Sequence, residues 1–292
     1  MLKKNIIFII ALLVVFCNLS FAQERQIYIV GSDGNNAVYW LNGRQTVLPK
    51  SSGQASASDI SISGSNIYIV GSDGNNAVYW LNGRQTVLPK SSGQAIANGI
   101  AISSSNIYIV GSDGNNAVYW LNGRQTVLPK SSGQAVASTI AVSGSNIYIG
   151  GYYGYRTEAA YWLNGRQTVL SQLDWGDLSW AVGGGSVNAI AISGSNIHLV
   201  GNDRLSGEFY NDKSVHWLNG NIVELSGSGL ANANAIIISS SDVYIVGYDG
   251  VFMRESWQSS CNAVYWLNGE RNILPSSDES TESKANGIAI IE

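Results

Sequence analysis

Cysteine, proline, histidine and charge are what this chain of 292 residues has least of: two Cys, four Pro, two His and a charged fraction of 12%. Each scarcity excludes something. Cys17 lies in a segment expected to be removed, so Cys261 would be the lone cysteine of the mature chain, with no intramolecular disulfide open to it. Stability must then come from packing. Zinc-ligand spacings and phosphate-binding glycine loops are absent, and no cofactor or metal is expected. Low charge beside a 45% apolar composition argues against disorder.

Long hydrophobic runs are absent beyond Ile6–Phe16, which is shorter than the roughly 20 residues a bilayer requires. That run follows Lys3, Lys4 and Asn5 and precedes Ser20-Phe21-Ala22. Residues 1–22 therefore read as a signal peptide cleaved after Ala22, leaving one domain over 23–292 that is secreted or periplasmic, without membrane insertion after cleavage. Lipid anchoring at Cys17 is disfavoured, because Phe16 stands where a lipobox needs a small residue. Removing Lys3 and Lys4 from 16 basic residues leaves 14 against 20 acidic ones, a net charge near −6. That balance disfavours nucleic acid as a partner.

What is present is repetition. The string IYIVGSDGNNAVYWLNGRQTVLPKSSGQA occurs unchanged at Ile27–Ala55, Ile67–Ala95 and Ile107–Ala135, with degenerate copies from Ile147, Ile197 and Val243. A period near 40 residues marks propellers and some solenoids. Each copy divides into four short strands, here lettered a to d from the inside outward. Strand a is the alternating Ile100–Ile102, with equivalents Ile60–Ile62, Ile140–Val142, Ile190–Ile192, Ile236–Ile238 and Ile288–Ile290. Strand b is Ile107–Val110, strand c Ala117–Leu121 and strand d Arg124–Leu128. Asn-Gly joins c to d in all six copies, the strongest short hairpin signal because a type I′ turn needs two positive φ angles.

The chain after Ala22 begins at a strand b and stops after a strand a. Pairing of Ile288–Ile290 with Ile27–Val30 would complete both ends, whereas a linear solenoid is expected to carry polar caps. The expected fold is thus all-β: a six-bladed β-propeller with four antiparallel strands per blade, closed by the C-terminal strand a joining the N-terminal strands b, c and d. The units resemble bacterial secreted β-propeller repeats of the YWxNG type, here Ile140–Tyr148 followed by Ala159-Ala160-Tyr161-Trp162-Leu163-Asn164-Gly165. The resemblance spans nearly the whole mature chain and implies the fold, in architecture a distant likeness of WD40 and kelch propellers; it implies no activity. The Trp-Asp and Gly-His marks of WD40 blades and the Gly-Gly of kelch blades are missing.

In such a meander the a–b and c–d turns share one end, and the b–c and d–a connections share the other. The b–c connection reads as six residues in the first copy (Gly31–Asn36), eight at Gly151–Glu158, 13 at Gly201–Lys213 and 16 at Gly247–Asn262. The d–a connection reaches 19 residues at Ser171–Ala189. These insertions carry Tyr152, Tyr153, Tyr155, Arg156, Trp175, Trp180, Arg204, Phe209, Tyr210, Phe252, Arg254 and Trp257. Aromatic and Arg side chains on loops of a rigid scaffold suit a binding face, so a non-catalytic, monomeric scaffold for a protein or glycan is the leading expectation. The alternative is that the aromatics only pin long loops. A second reading is an architectural or surface-variation protein, suggested by the identical copies, and a third is a hydrolase using loop carboxylates such as Asp174, Asp177, Asp203, Glu208 and Glu255.

Three further features admit both a structural and a functional role. The repeated Trp40, Trp80, Trp120, Trp162, Trp217 and Trp266 suit inter-blade packing better than sugar stacking, since they lie within strand c. Asp33-Gly34-Asn35-Asn36 and its copies suit a turn better than a Ca²⁺ loop, having too few carboxylates. His198 and His216 replace tyrosines on neighbouring strands b and c, where they need only a satisfied ring nitrogen, although such a pair is also able to share a proton or a metal.

Overall fold

Turn chemistry sets the strand count. In the computed structural model, which describes residues 26, 28–51, 53–91, 93–155, 157–170, 184–204, 212–225, 230–253, 258–274, 283–286 and 288, each of the six Asn-Gly pairs between strands c and d is a two-residue hairpin turn. Asn82 and Gly83 have φ of 50° and 82°, and the other five pairs match them closely. Positive φ at both positions matches the right-handed twist of the flanking strands, which is why this dipeptide recurs.

The result is 23 strands in six antiparallel meanders, with no helix among the described residues. The first sheet has three strands, Tyr28–Asp33, Asn36–Leu41 and Arg44–Val47. The second has four, Ala55–Ser63, Asn66–Asp73, Asn76–Leu81 and Arg84–Val87, and the third to sixth repeat that order. Two sequence-based boundaries need correction. Strand a is nine residues in the second and third sheets rather than three, because a β-bulge at Ser58 or Asn98 joins the Ile-x-Ile segment to the preceding Ala-x-Ala. The b–c connections are also shorter than expected, since strands b and c continue pairing to Asp33 and Asn36, leaving only Gly34-Asn35 as the turn. In the sixth sheet most of the insertion is a longer hairpin, Asp242–Met253 paired with Gln258–Leu267.

The bulge dictates one invariant residue on the facing strand. A Cβ on Gly71 or Gly111 would lie 1.9 Å from the carbonyl oxygen of Ser56 or Ile96, so only glycine fits opposite the bulge. Gly151, Gly201 and Gly247 stand in the same relation to the fourth, fifth and sixth sheets.

The core lies between sheets rather than within one. Five clusters of buried side chains, one at each junction between consecutive sheets, join strands b, c and d of one sheet to strands a, b and c of the next. Trp80, Trp120, Trp162, Trp217 and Trp266 are fully buried there. An indole of roughly 200 Å² at about 25 cal/mol per Å² contributes on the order of 5 kcal/mol as an upper bound. Trp80, Trp120 and Trp162 also donate Nε1–H to the carbonyls of Pro49, Pro89 and Pro129 at 2.8 Å, reaching back into the preceding repeat.

Two further devices hold the ends. At the tight-turn end, Asn82 accepts from Ile67 N–H and donates to Asn66, both at 2.9 Å, tying the c–d turn to the a–b turn; the third to sixth sheets repeat the clasp. At the opposite end, the buried Asp73 carboxylate accepts from Ser51 Oγ at 2.7 Å and Gln85 Nε2 at 3.0 Å, anchoring the incoming d–a loop. These aspartates are acceptors in a turn network, and among the described residues no group of three His, Cys, Asp or Glu comes together.

The segment 283–286 continues the repeat pattern beyond the sixth sheet. Ser283 N–H bonds to Cys261 O at 2.9 Å, as Ala95 N–H bonds to Asn75 O and Ala135 N–H to Asn115 O. Asn234 Nδ2 reaches Ala285 O at 2.8 Å, as Asn98 Nδ2 reaches Ala137 O from the equivalent bulge. Lys284 Nζ sits 4.8 Å from the centre of the Tyr248 ring. The pairing of Ile288–Ile290 with Ile27–Val30 lies outside the described residues.

Candidate functional site

The anchoring aspartate is also the point at which the fourth sheet departs from the others. Alignment of strand b places Tyr153 where the second and third sheets have Asp73 and Asp113. The Tyr153 ring is buried, and its hydroxyl bonds to Glu158 and Ser131, so it still holds the incoming loop. Burial first, and the neighbouring Glu158 carboxylate second, raise its pKa; burial likewise raises that of Tyr152, which is half-buried. The change leaves a trace on strand d, where buried Gln167 Nε2 has no partner among the described residues. The sixth sheet changes the other member instead: Arg271 replaces the glutamine and lies 2.6 Å from the buried Asp249.

Beyond Tyr153 the fourth b–c connection has three residues, 155–157, instead of two. The extra length turns Tyr155 outward, 88% exposed, and places Thr157 at a φ of 53° with its hydroxyl accepting from Gly184 N–H at 3.1 Å. Beneath them Gly133 and Gly154 approach too closely for a side chain on Gly133. Around this floor Asn115, Gly133, Gln134, Gly154, Tyr155 and Thr157 line a polar pocket of about 320 Å³. Lys130 stiffens its rim by donating to the Gly133 and Asn115 carbonyls. An exposed aromatic face beside amide groups and a hydroxyl is the chemistry that receives a sugar ring or a peptide segment.

Of the twelve loop residues read from the sequence, the structure thus places three side chains: Tyr155 outward, Tyr152 half-buried and Tyr153 inside. Arg156, Trp175, Trp180, Phe209, Tyr210, Arg254 and Trp257 lie outside the described residues. Arg204 is the last residue of the long b strand of the fifth sheet and Phe252 the penultimate residue of that of the sixth, at the same end of the meander as Tyr155. Gln134 and Thr157 were not singled out from sequence. Gln134 lies inside the third identical copy and carries no signal of its own, whereas Thr157 sits at a break in the repeat.

The second departure lies at the tight-turn end. His198 and His216 are diagonal neighbours across strands b and c, at the positions of Tyr68 and Tyr79 in the second sheet. Both are buried, with His198 Nδ1 and His216 Nε2 3.0 Å apart and rings 11° from parallel. Burial lowers both pKa values, His216 to about 4 with the neighbouring His198 adding to the effect. Leu218, Val223, Leu225, Val243, Ile245, Asn268 and Gly269 complete an apolar pocket of about 300 Å³ around them.

No family model matches the chain, and no curated protein matches it. Among solved structures it is similar to a computationally designed protein, Ika8, with a TM-score of 0.49, 14% identity, and coverage of 91% of this chain and 75% of that one. It is also similar to YjhT, with a TM-score of 0.45, 12% identity, and coverage of 77% of this chain and 85% of that one. No helix among the described residues is long and apolar enough to cross a membrane.

Proposed function

We propose that the six sheets are the blades of a closed β-propeller, and that it is a secreted or periplasmic, non-catalytic scaffold. It binds a protein or glycan through the b–c and d–a connections of the fourth to sixth sheets. Closure is supported by residues 283–286, which make the bonds that a following strand a makes at the other junctions. It is also supported by the first sheet, where Ile29 is 55% exposed while its equivalent Ile69 is 2% exposed. In the closed ring the C-terminal strand would supply the missing ribbon and the sixth blade would cover Ile29.

The binding role is carried by Tyr155 at the mouth of the 320 Å³ pocket, where the end of the b–c hairpin is opened and an aromatic ring is turned outward. A glycan array and a cell-envelope extract, each probed with the protein over residues 23–292, should give a ligand whose retention falls at least tenfold in Tyr155→Ala. Equal retention by the wild type and that variant would refute the assignment of this face. The identical copies favour a second reading, an architectural protein whose copy number matters more than any pocket. Comparing copy number among closely related strains separates the two, since a fixed number counts against the architectural reading.

A further inference from the structure

The pocket around His198 and His216 is a place where the repeat has lost two phenol rings. In the second sheet Tyr68 and Tyr79, together with Ile107, pack against the cluster that holds Leu88 and Ile109, and Leu88, Ile107 and Ile109 are the counterparts of Leu225, Val243 and Ile245. In the first sheet the same two positions hold stacked tyrosines, Tyr28 and Tyr39, with ring centres 6.5 Å apart. The fifth sheet keeps the walls and replaces both rings by smaller imidazoles. Space that tyrosine side chains fill elsewhere is therefore open here, and its lining is hydrocarbon apart from the two imidazoles and Asn268. Apolar cavities of about 150 Å³ already take up benzene.

The imidazoles supply a polar contact of a defined kind. Two neutral imidazoles carry two N–H groups, and the 3.0 Å bond between Nδ1 of His198 and Nε2 of His216 uses one of them. If His198 donates, its Nε2 is a bare acceptor and His216 Nδ1 carries the second proton. If His216 donates, the outer roles exchange. Either tautomer leaves one donor and one acceptor, which is the complement of a hydroxyl group. Burial that keeps both rings neutral preserves this arrangement at neutral pH, and no Lys, Arg, Asp or Glu stands among the lining residues.

We propose that this pocket is a second binding site, at the end of the molecule opposite Tyr155, for a small uncharged hydroxylated aromatic of the size of phenol. The hydroxyl bonds to the histidine pair and the ring takes the volume that tyrosine occupies in the other sheets. A ligand bearing a carboxylate is disfavoured because no cation lines the site, and a purely apolar one because it leaves the outer imidazole nitrogens without a partner.

The test is a titration of the protein with p-cresol, toluene and 4-methylbenzoate, followed through the imidazole proton signals. The expected result is a saturable shift with p-cresol, at least fivefold weaker binding of toluene, and no response to 4-methylbenzoate. The double variant His198→Tyr/His216→Tyr restores the residues of the other sheets and should abolish any p-cresol-induced rise in melting temperature. A single variant, Val223→Phe, narrows the half-exposed wall and should weaken p-cresol about tenfold without moving the imidazole signals of the free protein. Absence of saturation in the wild type would overturn the proposal, as would equal affinity for toluene. A response to Zn²⁺ in place of p-cresol would also overturn it and make the pair a metal site.

Discussion

Burial holds the His216 imidazole down to a pKa of about 4 and lowers His198 as well, and this couples the pair to folding. The unfolded chain takes up these protons near the ordinary histidine value of 6.5, whereas the folded chain takes up the His216 proton only near 4. Stability is therefore full above pH 6.5 and falls as pH drops toward 4, by on the order of 1–3 kcal/mol. Urea midpoints measured across that range should show the decline, and His198→Tyr/His216→Tyr should lose that component. Ser104 and Ser240 give a second residue-level expectation. Both sit at positive φ, 57° and 55°, where the second, fourth and fifth sheets have Gly64, Gly144 and Gly194. Ser104→Gly should raise stability by roughly 0.5–1 kcal/mol, because relief of left-handed strain exceeds the added backbone entropy of glycine. Chemical denaturation checks it. At this scale the sequence was most legible where one φ angle excludes most residues, as in Asn-Gly. It was least legible where a side chain changes role, as when Tyr153 takes over a buried carboxylate's bonds; the copies aligned beneath one another carry that signal.

At the scale of the strand and hairpin, the pair formed by strands b and d has four versions, one of which sets Ile222 of the fifth sheet at the glutamine position. Asp73–Gln85 is a hydrogen bond, Asp249–Arg271 an ion pair, and Tyr153–Gln167 a replacement that leaves the amide without a partner among the described residues. Since Asp249 is 1% exposed, Arg271→Ala should cost about 2–4 kcal/mol by removing its counter-charge. Arg271→Gln restores the pairing of the other sheets and should recover most of that loss, as thermal unfolding of the two variants would reveal. The first half of strand a was hidden in the sequence for a geometric reason. A bulge at Ser58, Asn98, Ser138, Asn188 or Asn234 inserts one residue, so the two-residue alternation on either side falls out of phase. The longer hairpin of the sixth sheet was hidden because Gly250, Phe252 and the serines at 259 and 260 read as loop composition. Its ladder nonetheless runs on to Met253 and Gln258.

For the whole molecule, the repeat period made the sheet count legible, while the bonds that join sheets were not, because they span 31 to 45 residues between side chains and carbonyls with no local pattern. Closure is tested on the first sheet. In a closed ring the amides of Tyr28–Asp33 should exchange with solvent as slowly as those of Asn66–Asp73, and deletion of residues 283–292 should speed the former selectively. Fast exchange at Tyr28–Asp33 in the full chain would leave an open stack. The Trp120–Pro89 bond has a consequence for how such a gene can change length. Each junction is assembled from halves contributed by two successive copies, so excising or inserting one whole unit regenerates the same junction between new neighbours. Unequal recombination among the identical copies would therefore alter the number of units without creating a mismatched seam, and the number of sheets becomes the quantity left for selection to judge.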